Sequence, residues 1–375
     1  MEHDMALAPR LQKWFPWTRA PVICNGPMLG AASPALATQV TKAGGIGFLA
    51  SAFDLDPDSP QLSKLDADLT ESRRLLDAPS SPSSSPSSSP SSSPSSPLPI
   101  GISFITGHKS MTRFSETALP IIAKHRPAIV WLFAPAEAET SVGHGAIIEA
   151  LRTLKSAGGP RVFVQVGNVA AAREAVEDGA DVLVCQGVDA GGHQFRRGAG
   201  VVSLVPEVRA MLDGEFAGRE VGMLAAGGIV TDKGVAAMMA LEADGVVMGT
   251  RFTVAQESEY PDHRKQLILE TVDGGASTLK SPFHDQMNKS ALWGPLYDGR
   301  AIVGAIHGKF LSGSSLDECR QSLDKDYSPD EATRMLGTWA GTGVGLVQKA
   351  QPAGEIVREL REGAKERLRK LAGLM

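Results

Sequence analysis

The sequence predicts an α/β fold: a (β/α)8 TIM barrel carrying a small, mostly helical inserted cap domain. Three observations predict it. Short apolar runs of β-compatible residues recur between residues 21 and 248 and alternate with helical patterns, as parallel strands joined by crossovers require. Eight such runs can be counted, the number that closes a barrel. The first run ends in Asn25-Gly-Pro-Met28, without the Gly-x-Gly-x-x-Gly that would mark a dinucleotide site in an open doubly wound sheet.

The elements follow in order. Pro21–Met28 reads as the first strand and its turn, and Ser33 caps a helix that has Pro34 at its first position and runs to Lys42. Gly47–Ala50 is the second strand, followed by a helical segment around Leu62–Leu76. Residues 79–97 are almost entirely serine and proline, too polar to offset their ordering entropy, and read as a disordered insert. The insert is a tolerated surface loop or, through its Ser-Pro pairs, an acceptor of phosphate. The alternation then resumes with strands at Ile100–Ile105, Ala128–Phe133, Arg161–Val166, Asp181–Gln186, Val221–Ala226 and Gly245–Met248. Helices are expected near Ser115–Lys124, Gly145–Ala157, Val169–Asp178 and Lys233–Leu241.

Past residue 261 the alternation fails. Residues 262–335 are polar, with aromatic spots at Phe283, Trp293, Tyr297 and Phe310, and read as the inserted cap. The barrel domain therefore spans 1–261, and 336–375 returns to it. Ile356, Leu360, Ala364 and Leu368 recur at four-residue spacing there, the buried stripe of a final helix.

Composition narrows the function classes. The chain has 375 residues and a net charge of −5, which gives no electrostatic footprint for nucleic acid or an anionic membrane. No apolar run approaches the ~20 residues that span a bilayer, and no secretory signal is visible at the N-terminus. Three cysteines without metal-like spacing fit a reducing compartment and no metal site; Cys24 and Cys185 read as buried hydrophobes. A soluble, cytoplasmic protein is expected.

The chemistry centres on Gln186-Gly-Val-Asp-Ala-Gly-Gly-His-Gln194. Two glycines and His193 follow a strand, at the end where α/β enzymes keep their reactive groups. Histidine is the usual acid–base group near neutral pH, although a glycine turn with a backbone-bonded histidine has the same pattern. The last two strands end in Ala226-Gly-Gly-Ile229 and Met248-Gly-Thr-Arg251. In barrels these loops commonly bind phosphate, because bare glycine N–H groups can point at the anion; Thr250 and Arg251 could add a hydroxyl and a charge. Tight turns alone would look alike. Gln165 is polar within an apolar strand, placed either to donate to a ring over the barrel mouth or to satisfy backbone groups. Gly341-Thr-Gly-Val-Gly345 is a weak dinucleotide signal, since no βαβ unit surrounds it.

These motifs, with Ala43-Gly-Gly-Ile-Gly47, Met248–Phe252 and Trp339-Ala-Gly341, resemble the nitronate monooxygenase family, formerly the 2-nitropropane dioxygenases, over nearly the whole chain outside the insert. The resemblance implies a barrel that binds FMN non-covalently. His193 matches the catalytic histidine, and Ala226, Gly227, Gly228, Gly249 and Thr250 match the phosphate positions. Gln165 falls at a ring-contacting position, and Asn25, Gly26, Met28, Gly187 and Gly192 lie within the matched motifs as further cofactor-binding residues. Asp189 stands where many members carry glutamate. The implied reaction is oxidation of alkyl nitronates, and of neutral nitroalkanes, by O2 to a carbonyl compound and nitrite. The residues leave open an FMN-dependent NAD(P)H reductase of quinones or enoyl thioesters, or a flavin-binding sensor without turnover. They leave the oligomeric state open too.

Overall fold

A computed structural model of the chain describes residues 10–78, 96–135, 143–154, 159–290 and 292–374. Seven parallel strands form one curled sheet: β1 (Val22–Asn25), β2 (Leu98–Ile105), β3 (Pro127–Phe133), β4 (Arg161–Val166), β5 (Val182–Gln186), then, after the short β6 (Gly192–Phe195), β7 (Gly222–Ala226) and β8 (Gly245–Met248). Their spatial order is β1-β8-β7-β5-β4-β3-β2. The strands read as continuous apolar runs because both faces are covered. In β3, Ile129, Trp131 and Phe133 join the cluster inside the curl, while Val130 and Leu132 meet the outer helices. In β4 and β5, Phe163, Val182 and Val184 point inward, and Val162, Val164, Leu183 and Cys185 outward.

The expected second strand, Gly47–Ala50, is not a regular strand. Its segment makes isolated parallel bridges instead, Cys24 with Ile46 on β1 and Gly101 with Phe48 and Phe104 with Ala52 on β2. These bridges join the two edge strands of the sheet. The reason for the irregularity is visible in the side chains. Asn25 donates to Phe48 O at 2.8 Å and accepts from Phe48 N at 2.9 Å, replacing ladder bonds with side-chain ones. Phe48 also lies flat on Gly101, where a Cβ would stand 2.2 Å from its ring. Phe48 then meets Trp131 edge-on at 5.0 Å and Phe163 at 5.9 Å, filling the interior with aromatic surface.

The helix Arg10–Trp14 and Phe15 cover the amino-terminal end of the sheet; Leu11 and Phe15 are buried in the inner cluster. At the other end Gln165 follows Phe163 on the same face of β4, which sets a polar side chain among the mostly apolar ones at the carboxyl ends.

Ser33 and Pro34 begin the helix Pro34–Lys42 as expected, and the helices near 62–76, 115–124, 169–178 and 233–241 form with shifts of a residue or two. The helix Val201–Glu215 was not expected, because its interior Pro206 and opening Val-Val obscure a helical pattern; nor were the short helices Arg10–Trp14 and Thr250–Thr253. The last helix, Ala353–Ala372, buries Ile356 and Ala364 of its stripe, with Leu360 and Leu368 partly buried against the same core. It also buries Arg361, whose guanidinium donates to the carbonyls of Arg19, Pro21, Ala43 and Gly44.

Among the described residues, 262–335 contain six helices and also β9 (Thr278–Ser281) and β10 (Tyr297–Ile302), a strand content that their polar sequence did not suggest. β10 pairs antiparallel with β9, with β6, and with β11 (Thr338–Trp339). This sheet crosses both boundaries expected for the cap, because β6 and β11 lie outside 262–335. Residues 79–95 of the Ser/Pro insert lie outside the described residues. Among the described residues no helix is long and apolar enough to cross a membrane.

Candidate active site

A cavity of about 280 Å³ opens at the carboxyl ends of the parallel strands. Of the residues expected at the site, His193, Gly26, Met28, Gln165, Gly192, Ala226, Gly227, Gly228, Gly249 and Thr250 line it. The structure thus brings together residues from β4 and β6 with the segments that end β1, β7 and β8.

On one wall the glycine loops lie side by side. Gly227 and Gly228 have φ of 109° and 69°, a backbone region that disfavours every L side chain. A Cβ on Gly227 would stand 3.0 Å from Gly187 O. The N–H groups of Gly227, Gly228, Gly249 and Thr250 find no acceptor among the described residues. Thr250 Oγ1 accepts from Gly341 N at 3.0 Å, which leaves its own hydrogen free to donate. The run at 341–345 is a 3-10 turn packed on this wall; a Cβ on Gly343 would stand 2.5 Å from Gly228 O. That packing explains its glycines without a dinucleotide.

Two expected residues do not line the cavity. Both amide atoms of Asn25 are spent on the backbone of Phe48 and Gly26, so its role is to tie β1 to the 46–52 segment. Gly187 is a packing glycine, since its Cβ would stand 2.3 Å from Val201 N. Arg251 also turns away. It is buried, donates to Lys349 O at 3.2 Å and to Gln351 Oε1, and anchors the chain that returns after 336. Asp189 caps the unexpected helix, accepting from Val201 N at 3.0 Å, so the carboxylate is used for folding.

Across the cavity a chain of amides leads to the histidine. Gln165 Nε2 donates to Gln186 Oε1 at 2.6 Å, and Gln186 Nε2 donates to His193 O at 3.3 Å. His193 sits not in a loop but in β6, opposite Gly299 of β10. Strand pairing fixes its backbone, and two indoles fix its ring. Trp293 stacks on it with centroids 3.7 Å apart and planes 8° apart, and Trp339 lies at 4.8 Å. Trp339 N donates to Tyr260 Oη at 3.0 Å; burial raises the Tyr260 pKa and keeps it a neutral phenol.

Sequence reasoning missed Asp285. Its Oδ1 lies 2.8 Å from His193 Nε2, although 92 positions separate the two. It occupies a five-residue helix, Phe283–Met287, with no cap or periodicity to single it out. Beside it, His284 and His307 are buried with ring nitrogens that lack partners among the described residues. Burial, and then the neighbouring His307, pushes the His284 pKa down to about 4; burial lowers that of His307 as well. Both are neutral at pH 7 and serve as flat packing groups, with His307 stacked on Phe283 at 4.3 Å. Cys24 and Cys185 are buried, and desolvation raises both thiols, Cys185 to about 12, so neither is a nucleophile.

The geometry therefore offers an acid–base group facing an anion cradle across a mostly apolar cavity. The nitronate monooxygenase family profile matches residues 139–363 of this chain. A nitronate monooxygenase of Neurospora crassa is 46% identical over 379 residues, covering 99% of this chain and 96% of that protein. The chain belongs to the nitronate monooxygenase family. Among solved structures, FabK from Thermotoga maritima superposes with a TM-score of 0.69 at 20% identity, covering 98% of this nitronate monooxygenase family member and 99% of that chain. Nitroalkane oxidase from Streptomyces ansochromogenes gives 0.65 at 20% identity, covering 96% and 99%. At such identities these two likenesses establish a shared fold. Membership makes this chain a flavin-dependent oxidoreductase.

Proposed function

We propose that the protein oxidises alkyl nitronates, and neutral nitroalkanes, with O2 to a carbonyl compound and nitrite, using non-covalently bound FMN. The observation that carries the reading is the position of His193, whose ring lines the same cavity as the Gly227–Gly228 and Gly249–Thr250 cradles. The residues fit FMN. Four N–H groups without partners and the Thr250 hydroxyl suit a phosphate, and Gln165 suits the polar edge of a ring. We read the 46–52 bridges as the closure of a (β/α)8 barrel, and residues 262–335 as the cap that shapes specificity through Leu292 and Trp293.

Bound FMN would supply the electron acceptor that O2 restores. The protein's own residues do the rest. Neutral His193 takes the α-proton of a nitroalkane, and the C–H electron pair becomes the nitronate. Where the nitronate is supplied preformed, the same imidazole orients it. Apolar walls, including Ile105, Phe133 and Trp131, exclude water and leave alkyl groups as the fitting substituents.

His193→Ala tests the assignment. Turnover of a neutral nitroalkane should fall by roughly 10²–10⁴, the range of general base catalysis, with flavin still bound. Unchanged turnover would remove His193 from the mechanism.

A further inference from the structure

We propose that Asp285 is the positioning residue of His193: its carboxylate holds the imidazole proton on Nε2 and thereby makes Nδ1 the atom that takes the substrate proton. The inference rests on the reading of His193 as the base and adds which nitrogen acts and what selects it.

An ionised carboxylate can only accept, so the 2.8 Å contact between Asp285 Oδ1 and His193 Nε2 requires hydrogen on Nε2. A neutral imidazole carries one N–H, and Nδ1 is then bare. No group among the described residues bonds to Nδ1, and the ring lines the cavity. The pair is sheltered, with the His193 side chain 12% and the Asp285 side chain 15% exposed, which strengthens the bond relative to one in water. Ring rotation is opposed by the Trp293 stack on one side and by Trp339. The pairing of β6 with β10 holds the backbone beneath.

The arrangement also accounts for charge. When the α-carbon's C–H bond breaks, the proton passes to Nδ1 and the electron pair stays on the nitronate. The imidazolium so formed lies between the nitronate and the Asp285 carboxylate, each of which stabilises it. The neighbouring histidines do not compete for that carboxylate as cations, because His284 and His307 are buried among Phe283, Trp339 and each other.

Asp285→Asn keeps the shape and removes the obligatory acceptor. The ratio of nitroalkane to nitronate turnover should fall by about a hundredfold, because only the nitroalkane must lose a proton. Asp285→Glu should recover part of that ratio. Histidine-selective 15N spectra of the flavin-loaded wild type, with the His193 signal assigned by its loss in His193→Gln, should show the Nε2–H tautomer. They should show loss of that single form in Asp285→Asn. An Nδ1–H signal in the wild type, an equal fall with both substrates, or a wild type inert towards neutral nitroalkanes would overturn the proposal. The spectra need no catalysis, so they decide it even if Asp285→Asn folds poorly. Full nitroalkane turnover in His193→Gln is a different result, which sinks the base assignment itself.

Discussion

The indole of Trp339 lies on the bare backbone of Gly299, where an added Cβ would stand 2.4 Å from the ring. Gly299 is also the residue opposite His193 in the β6–β10 pair. One glycine thus sets the depth of an aromatic wall and the height of the imidazole. Gly299→Ala should push Trp339 into the cavity and lower kcat/KM for nitronate by roughly tenfold to a hundredfold, with flavin content unchanged. Steady-state kinetics beside a flavin absorbance ratio would check this, and wild-type kinetics would count against it.

The anion cradle predicts a different phenotype. Gly227→Ala places a Cβ in a left-handed backbone at φ 109°, 3.0 Å from Gly187 O. The strain is about 1–2 kcal/mol, so FMN should bind roughly fivefold to thirtyfold more weakly. Fluorescence titration of the apoprotein measures the shift. Affinity equal to wild type would show that the 227–228 loop does not hold the phosphate.

Asn25 is expected to matter for stability rather than for the cofactor. Asn25→Leu leaves Phe48 N and O without their side-chain partners in a buried place. The cost is about 3 kcal/mol, taken from the penalty for two stranded backbone groups. Tm should drop while the folded fraction keeps its flavin affinity; weakened FMN binding at unchanged Tm would reverse the assignment.

Acid should loosen the fold through buried histidines. His144, paired with Thr106 Oγ1 at 3.0 Å, has its pKa lowered by burial to about 4, as does His284. A folded value below the unfolded ~6.5 means that the unfolded chain binds more protons between those limits. The stabilisation is fully present above pH 6.5 and is lost as pH falls towards 4. For His144 it is on the order of 3 kcal/mol. Denaturation curves from pH 7.5 to 4.5 should show His144→Gln with a shallower pH dependence than wild type. Parallel slopes would contradict the assignment.

Much of the architecture was legible because both faces of the strands are buried, which leaves apolar runs such as Val182–Cys185 plain in the sequence. The glycine loops were legible for a similar reason, since Gly227 and Gly228 are needed by backbone geometry and stand at strand ends. What could not be read is what depends on distant partners. Asp285 gains its meaning only when β10 pairs with β6 and lowers the 283–287 helix onto His193. Asn25 sits in a motif beside the cavity, yet its amide faces Phe48, a direction that no spacing encodes. Arg251 follows Thr250 in the cradle and still turns to Gln351, because a helical step of one residue swings the side chain about 100° around the axis.

The most direct test of the proposed chemistry is oxygen uptake by the flavin-loaded protein, given a preformed alkyl nitronate alone and then NADH with a quinone. Oxygen consumption with release of nitrite from the nitronate, and negligible NADH oxidation, is the predicted result. Rapid NADH oxidation with an inert nitronate would contradict it and make the protein a reductase.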